Sequence, residues 1–458
     1  MADLEGLTKE LMKKGWNKIK IIDKIVDEYS IYKNISNEEA RLLAEAIYEE
    51  CIKSDSMPND DFIINILKIP NSGISIGKQG VGCRGMGDFY IHKLISKFSQ
   101  TEHSAFLSPV SLDDAGAVIL PKEFNNINFN DLIIVSKMEG MHSRLSDYPF
   151  IAGFHVTRAA LRDLLVKGAK PISILVDIHL ADDADVAKLF DFMAGVSAIS
   201  EITKVPITAG STLRIGGDMV IGTRITGGVA AIGIAKKLFA RRNIKIGDAI
   251  LMTEGAGGGT IATTAIYSGN HEILKETINI KFLTAALTLI DSDLSQHIHC
   301  MCDVTNGGLR GDLYEINSEA NIGVSININT VKKLINPNVL KLLENNNVNV
   351  DYLGVSLDAL LIYVEDKYAE KVIDLIRSNN ISIEKIGVTD NSKLVKFIDE
   401  NGESEILPRF RESAYTKVKQ IIGEKSPEDL KIMESKILKS FELCIKKRDQ
   451  IVKFLTSK

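Results

Sequence analysis

The chain has 458 residues, of which 45% are apolar and 25% charged, a composition typical of a globular protein with two to three domains. Its formal net charge is −5 and its basic residues are interspersed with acidic ones, which disfavours nucleic acid and anionic membranes as partners. Five cysteines do not suggest a disulfide framework, and there is neither a signal-peptide core nor an apolar run long enough to span a membrane. We therefore expect a cytoplasmic protein.

The first 60 residues are predicted to form a helical extension. Apolar residues such as Leu7 and Leu11 recur at the three- to four-residue spacing of an amphipathic helix. Ser36, followed by acidic residues, is a typical helix start, so another helix is expected there. Residues 62–100 are predicted to hold a short apolar strand, a glycine-rich loop from Gly73 to Gly87 and an amphipathic helix.

Strands and helices then alternate, which is typical of layered α/β domains. The first domain is expected over residues 61–235, with strands at AGAVIL (115–120), DLIIVSKME (131–139), PISILVDIHL (171–180), VPITAG (205–210) and 219–235, and helices near 151–168 and 184–203. The second is expected over 236–425, with strands at IKIGDAILMT (244–253), HIHCMCDV (297–304) and ALLIYVE (359–365), and helices near 280–293, from 309 and at 367–379. A last helix, over 426–458, starts at Ser426-Pro427 and carries an apolar stripe that we expect to pack against another surface.

Five acidic residues fall at predicted strand ends, at turns and in one helix: Asp113, Asp114, Glu139, Asp163 and Asp303. Each one alone is more typical of a helix cap or a solvated charge. Magnesium prefers hard oxygen ligands and keeps waters and substrate phosphates, so a nucleotide site uses one or two carboxylates per ion from separate elements. The set as a whole suits that chemistry.

Glycine-rich turns are the second feature, because backbone N–H groups can bind phosphate closely where no Cβ blocks the approach. Three such turns are present: 73–87, 255–260 and 306–308. The run Gly80 to Gly85 fits G-x-G-x-x-G, but no βαβ unit leads into it, and Gly73 to Lys78 is too short for a P-loop and lacks its Ser or Thr. Both motif interpretations are rejected.

The run from His297 to Cys302 invites a zinc or copper interpretation. In a strand, alternate residues face opposite sides, so the histidines lie on one face and Cys300 and Cys302 on the other. A buried strand with partnered histidines is therefore the favoured hypothesis. Cys83 lies beside Arg84, where a thiolate could be stabilised, and a small loop residue is an equally good interpretation.

The order of these motifs resembles the aminoimidazole ribonucleotide (AIR) synthetase, or PurM-like, superfamily over about residues 72–420. Asp113-Asp114-Ala115 is similar to its Asp-Asp-Ala turn. Residues 161–174, LRDLLVKGAKPISI, resemble a helix-then-strand segment whose Asp binds magnesium. Residues 137–142 are similar to its Lys-x-Glu-x-His segment, and residues 303–309 to its Asp-x-Thr-x-Gly-Gly-Leu segment.

This resemblance implies ATP and Mg²⁺ as cofactors, a small-molecule substrate and a homodimer. The N-terminal α/β domains would pair their strands into an intersubunit β-barrel, with ATP between the two domains and across the dimer. We expect the five carboxylates to bind metal. We expect catalytic roles for Lys78, Arg84 and His142. The residues expected to contact the nucleotide or its phosphates are Gly80, Gly82, Gly85, Lys137, Gly210, Ser211, Asn306, Gly307 and Gly308.

Two departures from the superfamily bear on the reaction. Gly210-Ser211-Thr212 stands where a Gly-Gly-Asp-Thr or Gly-Gly-His-Ser turn is frequent, so one acidic or imidazole contact is missing. Arg84 stands where selenophosphate synthetase has a catalytic Lys, and a guanidinium does not deprotonate, which argues against selenide as the substrate. The helical ends match none of the superfamily's named enzymes.

The expected function is ATP- and Mg²⁺-dependent phosphorylation of a substrate oxygen, with the substrate left open. One alternative is a nucleotide-binding scaffold without catalysis, whose extra helices recruit a partner. Another is a nicotinamide- or flavin-dependent oxidoreductase that uses the loop from Gly80 to Gly85.

Overall fold

The computed structural model describes residues 3–101, 103, 105–111, 113, 115–124, 127, 128, 131–345, 347–412 and 414–457. Asp114 therefore lies outside the described residues. Within them, apolar side chains are buried in three clusters. One lies among the N-terminal helices, the largest surrounds the first sheet and reaches the second, and the third lies within the C-terminal half.

The N-terminal part is helical, as predicted, and its helices are α1 Leu4–Lys13, α2 Lys18–Tyr32, α3 Asn37–Asp55, α4 Asp61–Leu67, α5 Ile76–Gln79 and α6 Met86–Ile95. The helix start at Ser36 is confirmed, since the Ser36 hydroxyl accepts a hydrogen bond from the Glu39 N–H at 3.1 Å. The strand expected after residue 62 is wrong. That segment is α4, because Asp60 caps it and the apolar residues Ile63 and Leu67 are buried one helical turn apart.

The first sheet has four strands: β1 Ile133–Gly140, β2 Ala169–Leu180, β3 Ile207–Arg214 and β4 Ile225–Ala235. Their order is β1-β4-β2-β3, with β2 and β3 parallel and the other pairs antiparallel. Two helices, α7 Pro149–Leu165 and α8 Ala187–Thr203, lie against each other, and α7 packs on three of the strands.

The strand predicted at AGAVIL is wrong. Its pairing is a single bridge between Ala117 and Leu107. Gly116 passes so close to the backbone of β3 that an added Cβ would lie 2.0 Å from the Thr208 carbonyl oxygen, so the segment crosses the sheet instead of extending it.

The second sheet has seven strands: β5 Asp248–Thr253, β6 Ile298–Asp303, β7 Gly323–Asn327, β8 Leu360–Glu365, β9 Ile383–Asp390, β10 Val395–Asp399 and β11 Gly402–Glu405. Their order is β11-β10-β7-β9-β5-β8-β6, and only β7 and β10 pair in parallel. The accompanying helices are α9 Gly259–Ser268, α10 Leu274–Thr277, α11 Lys281–Asp291, α12 Gly308–Ala320, α13 Ile328–Leu334, α14 Pro337–Leu343, α15 Ala369–Arg377 and α16 Lys417–Ile422. Two sheets with their helices confirm the predicted α/β fold.

The last helix, α17, spans Leu430–Thr456 and begins four residues later than the predicted start at Ser426. None of its residues is buried against the described part of the chain, so the surface on which we expect its apolar stripe to pack stays a prediction. Among the described helices, none combines the length and apolar character needed to cross a membrane.

Candidate functional site

A polar cavity of about 390 Å³ lies where the two sheets and their helices meet, and we call it the interdomain cavity. The N-terminal half contributes residues of β1, of α7 and of the turn after β1. The C-terminal half contributes the end of β6, the first residues of α9, the turn before α12, and Asp312 and Glu315 of α12. The predicted site residues that line it are Lys137, Glu139, His142, Asp163, Asp303 and Asn306.

Three carboxylates in this cavity are held by two cations. Lys137 Nζ lies 2.8 Å from Asp163 and 3.1 Å from Glu139. Arg162 Nε lies 2.5 Å from Asp303, and its NH2 group lies 3.2 Å from Asp163. Lys137 and Asp303, 166 positions apart in sequence, thus share one charge network between the two domains.

The two aspartates of this network differ in protonation. Burial raises the pKa of Asp303 to about 6, and the nearby Asp163 carboxylate adds to this although Arg162 opposes it. Burial also disfavours the charge on Asp163, but Arg162 and Lys137 outweigh it and hold the pKa of that carboxyl below its usual value. Asp303 is therefore the group that takes up a proton first as the pH falls.

Sequence reasoning missed a second layer of this network. Arg162 also lies 2.8 Å from Asp358, which precedes β8, and Arg158 lies 2.6 Å from the same carboxylate. Arg158 further donates to the carbonyl oxygens of Thr277 and Gly257 at 3.0 and 3.2 Å. These bonds tie α7 to the C-terminal half. The sequence does contain a signal for these arginines. Residues 155, 158, 159 and 162 are spaced three or four apart, which places them on one face of a helix.

Two histidines contact the cavity in different ways. His142 has both ring nitrogens engaged, with Nε2 2.6 Å from the Tyr415 hydroxyl and Nδ1 3.1 Å from the Thr263 hydroxyl. Burial and the nearby Lys419 lower the pKa of His142 to about 4, which favours the neutral ring, and the expected catalytic role of His142 stays a prediction. His155, which the sequence analysis missed, is buried with Nδ1 unpartnered among the described residues and is free to bond a ligand.

Two helix N-termini reach the interdomain cavity. Gly259 and Thr260 open α9, Asn306 lies two residues before the start of α12, and all three line the cavity. The Thr260 hydroxyl donates to Asn306 at 3.1 Å, which joins the two turns. Gly308 has a positive φ of 62°, and a Cβ there would meet the Leu353 carbonyl oxygen at 2.3 Å, so this turn requires glycine. Unpaired N–H groups at two helix starts suit the binding of phosphate.

The remaining predicted residues lie elsewhere. A second cavity of about 450 Å³, the sheet-edge cavity, lies beside β3 and is lined by Arg84, Asp113, Gly210 and Ser211 among others. Strands β1 and β3 are opposite edges of the first sheet, three strand spacings or roughly 14 Å apart. The residues expected to form one site are therefore divided between two cavities of one chain.

The glycine-rich loop before α6 is internally bonded. Gly82 and Arg84 donate their N–H groups to Asp88 at 2.8 and 2.9 Å, and Asp88 is fully buried. Those amides are not free for a phosphate in this conformation, in agreement with the rejection of a dinucleotide motif. Apart from Gly82, five residues expected to contact nucleotide or substrate lie outside both cavities: Lys78, Gly80, Gly85, Gly307 and Gly308.

The carboxylates of the interdomain cavity suit magnesium chemically. Glu139, Asp163 and Asp303 offer hard oxygen donors from three separate elements, as a site completed by phosphates and water requires. In the described part of the chain, no three His, Cys, Asp or Glu side chains are already arranged as metal ligands. Lys137 and Arg162 hold these carboxylates instead.

The favoured hypothesis for residues 297–302 is confirmed. His297 bonds Glu365 at 3.1 Å, and its ring stacks on that of Tyr368 at 3.5 Å. His299 is buried and lies 2.8 Å from Asp248. The histidines are thus partnered within the fold.

These features define the chain as a two-domain α/β protein of the PurM-like superfamily. The structure superposes on that of the hydrogenase maturation protein HypE in complex with ATP, with a TM-score of 0.58 at 15% identity, over 74% of this chain and 99% of that one. HypE of E. coli gives a TM-score of 0.56 at 17% identity, over 72% and 99% of the chains.

The chain belongs to the AIR synthase related protein family. The model of that family's N-terminal domain matches residues 113–235, and the model of its C-terminal domain matches residues 245–400. The predicted domain boundaries at residues 60, 235 and 425 remain predictions.

Its curated relatives fall into two groups. An uncharacterized protein of Methanocaldococcus jannaschii is 43% identical over 99% of this chain and 98% of its own length, so the similarity includes both helical ends. Selenide, water dikinase of Myxococcus xanthus is 27% identical over 40% of this chain, and the PurL subunit of phosphoribosylformylglycinamidine synthase from Saccharolobus solfataricus is 23% identical over 58%. The matches span about half of the dikinase and 38% of that PurL subunit.

Proposed function

We propose that the chain is an ATP- and Mg²⁺-dependent enzyme that activates a substrate oxygen by phosphorylation. The observation that carries this proposal is the interdomain cavity, where three carboxylates and Lys137 lie beside two helix N-termini. Relatives support it, because one HypE structure contains ATP and one relative is a dikinase.

Phosphoryl transfer demands positioning and charge stabilisation more than covalent chemistry. The N–H groups at the starts of α9 and α12 would bind phosphate oxygens. The Lys137 ammonium would stabilise the negative charge on the phosphoryl group during its transfer. Asp163, Asp303 and Glu139 would hold Mg²⁺, which neutralises charge on the phosphates. Arg162 orients both aspartates, and the free Nδ1 of His155 would contact substrate or nucleotide.

A homodimer would complete this site. The helices α7 and α8 leave apolar side chains of β1 uncovered, and Ile134 and Met138 are 70% and 59% exposed. Pairing of two such sheets would form the expected intersubunit β-barrel and cover these side chains. It would also explain why the predicted residues of one chain lie at opposite edges of its sheet.

The proposal is tested by Asp163→Asn. We expect calorimetry to show that Mg²⁺-dependent ATP affinity falls by about 100-fold or more, because the variant loses a metal ligand and keeps its volume. The melting transition should stay nearly unchanged. The matched control is Asp366→Asn, which removes an ion-paired but exposed carboxylate on the second domain and should bind ATP normally. Wild-type affinity in Asp163→Asn would remove this residue from the site.

The non-catalytic scaffold remains the second candidate, because α17 extends from the fold with no buried residue. Incubation of the protein with ATP, Mg²⁺ and pools of small metabolites separates the two hypotheses. Release of ADP with one pool supports the enzyme, whereas tight ATP binding without turnover in any pool supports the scaffold.

A further inference from the structure

A third cavity, of about 530 Å³, lies beside the interdomain cavity, and we call it the basic cavity. Its wall is formed by β1, the end of α7 and the turn after it, the turn between β4 and β5, and the ends of β6 and α12, so both domains build it. Its volume is typical of a site for a small molecule. Of the described residues that line it, none is aromatic, so it offers no ring on which a nucleotide base could stack.

The basic cavity and the interdomain cavity share the wall at which phosphoryl transfer is proposed. Lys137, Asp163, Arg241 and Asp303 line both of them. Lys137 is the cation that would stabilise the transferring phosphoryl group, and the two aspartates are proposed ligands of Mg²⁺. An acceptor oxygen must lie about 3–3.5 Å from the transferring phosphorus. A molecule in the basic cavity would reach that phosphorus across the shared wall, with ATP on the other side.

Two further cations of the basic cavity have no carboxylate partner. Among the described residues, neither Lys167 nor Arg242 forms an ion pair, and Lys167 Nζ lies 3.4 Å from the Met301 carbonyl oxygen. Met301 precedes Asp303 by two residues on β6, which is about 7 Å along the strand. The Lys167 ammonium thus lies near the end of β6 that carries Asp303, within the length of a small metabolite from the shared wall.

The backbone at both cations is fixed by turns. Gly168 follows Lys167 with a positive φ of 81°, and an added Cβ would lie 2.5 Å from the Lys237 carbonyl oxygen, so this turn requires glycine. Arg242 lies in the turn between β4 and β5, where the Asn243 side chain donates to the Leu238 carbonyl oxygen at 3.0 Å. The two cations therefore stand on ordered backbone from different parts of the chain.

The charges of the basic cavity favour an anion once Mg²⁺ is bound. Its cations are Lys137, Lys167, Arg241 and Arg242, and its carboxylates are Asp163, Asp303 and Glu319. Mg²⁺ would bind Asp163 and Asp303 and release Lys137 from its ion pair with Asp163. Glu319, which is exposed, is then the one carboxylate of this lining that is not bound to the metal. Even with Arg241 paired to Glu315 at 2.7 Å, cations outnumber carboxylates in the lining.

We propose that the basic cavity binds the phosphoryl acceptor, and that this acceptor is an anionic small molecule held through a carboxylate or phosphate group by Lys167 and Arg242. The inference rests on the proposed function and adds to it the site and chemical class of the substrate. Both anionic groups accept charge-assisted hydrogen bonds from these side chains. An anionic acceptor oxygen carries no proton to be removed. It forms the new bond to the γ-phosphorus, the bond from that phosphorus to the bridging oxygen breaks, and ADP leaves with the electron pair.

Anion binding to the full chain tests the site without turnover. With Mg²⁺ and a non-hydrolysable ATP analogue at saturation, equilibrium dialysis should find saturable binding of inorganic phosphate or of succinate. Lys167→Gln with Arg242→Gln should weaken this binding by about tenfold or more, because two charged contacts are lost. The matched control, Lys236→Gln with Lys245→Gln, removes the same charge from exposed side chains outside the three cavities and should bind the anion normally.

Two results of the dialysis would overturn the proposal: a wild type that binds neither anion, and equal affinity in the two double variants. The melting transition of Lys167→Gln with Arg242→Gln should match that of the wild type, because neither cation has an ion-pair partner among the described residues. A loss of anion binding is then a loss of the site and not of the fold.

Turnover identifies the class of the acceptor. The full chain is incubated with ATP, Mg²⁺ and separate pools of carboxylates, of phosphate esters, and of neutral or cationic metabolites. ADP should appear with one of the two anionic pools. Lys167→Gln with Arg242→Gln should then raise the KM of the active compound by about tenfold or more and leave kcat nearly unchanged. Release of ADP with the neutral or cationic pool alone would overturn the proposal.

The inference and the proposed function fail in different ways. If the wild type does not bind the ATP analogue, the proposed function fails, and phosphate binding that depends on Lys167 and Arg242 would still show the anion site. If the wild type binds the analogue but its anion binding does not depend on these two residues, the inference fails and the proposed function stands.

Discussion

At the scale of single residues, the interdomain cavity depends on how Arg162 divides its bonds. This guanidinium contacts Asp163, Asp303 and Asp358. Its positive charge stabilises the ionised form of these carboxylates, which burial disfavours. Asp303 still has a pKa raised to about 6 by burial, whereas Asp163 stays charged. The two neighbours thus differ in the protonation state that a metal ion or a phosphate would meet.

This difference predicts a pH dependence. Above about pH 6 Asp303 carries its charge, and below that value a bound cation must displace a proton from it. We therefore expect the Mg²⁺-dependent affinity for ATP to weaken by about tenfold for each pH unit below 6. Calorimetry in buffers of different ionisation enthalpy should detect proton release at about pH 6 and none at about pH 8. An affinity that is constant between about pH 5 and 8 would exclude Asp303 as a ligand.

At the scale of elements, buried ion pairs hold the N-terminal helix α1 on the first domain. Asp147, in the turn between β1 and α7, lies 2.9 Å from Lys9 of α1 and 2.9 Å from Lys188 of α8. Arg224 bonds Asp3 at the start of α1. Burial opposes the charge on Asp147, but the two lysines outweigh it and hold the pKa of its carboxyl well below the usual range.

Asp147→Asn should therefore destabilise the protein by about 3–5 kcal/mol, because two largely buried lysines lose their partner. The matched control is Asp55→Asn, which removes a half-exposed partner of Lys9 and should cost less than about 1 kcal/mol. Urea denaturation measures both changes. Because the folded-state pKa of Asp147 is depressed, its contribution is present above its unfolded value of 3.8 and is lost as the pH falls below it. The free energy of unfolding of the variant should thus fall less steeply than that of the wild type as the pH is lowered. An equally steep fall in both proteins would contradict this role of Asp147.

At the scale of the whole molecule, the uncovered side of the first sheet is the face that the proposed dimer would use. Strand β1 is an edge strand that exposes Ile134 and Met138, and such an edge is a template for pairing with another chain. Substitutions on this strand therefore test the proposed β-barrel.

We expect light scattering to find the wild type as a dimer at micromolar concentration and Ile134→Lys with Met138→Lys as a monomer, because each copy would bring two charges into the proposed barrel interface. Ile246→Lys is the control, since Ile246 is similarly exposed, at 62%, in a turn before β5. Its mass should equal that of the wild type. A mass that is unchanged by both lysines would exclude this face as the interface.

Much of the fold followed from the sequence because its signals are local. The helix start at Ser36, the strand ending at Glu139 and the helix holding Asp163 are set by capping and by apolar periods that neighbouring residues define. The same local signals failed for residues 115–120, because this apolar run forms a single bridge and no strand ladder. They also failed at α4, because a short apolar run is compatible with a helix as well as with a strand.

The sequence by itself determined the α/β class, the family and a set of carboxylates suited to magnesium. The tertiary structure alone decided which of them meet, because the packing of the two sheets brings Glu139 to Asp303, and the strand order of the first sheet takes Asp113 and Ser211 to its other edge. It also revealed His155, Arg162 and Asp358, whose roles depend on partners more than a hundred residues away. Backbone hydrogen bonds and periodicity are local, whereas a binding cavity is formed by the packing of distant elements, and packing is not encoded at any one position.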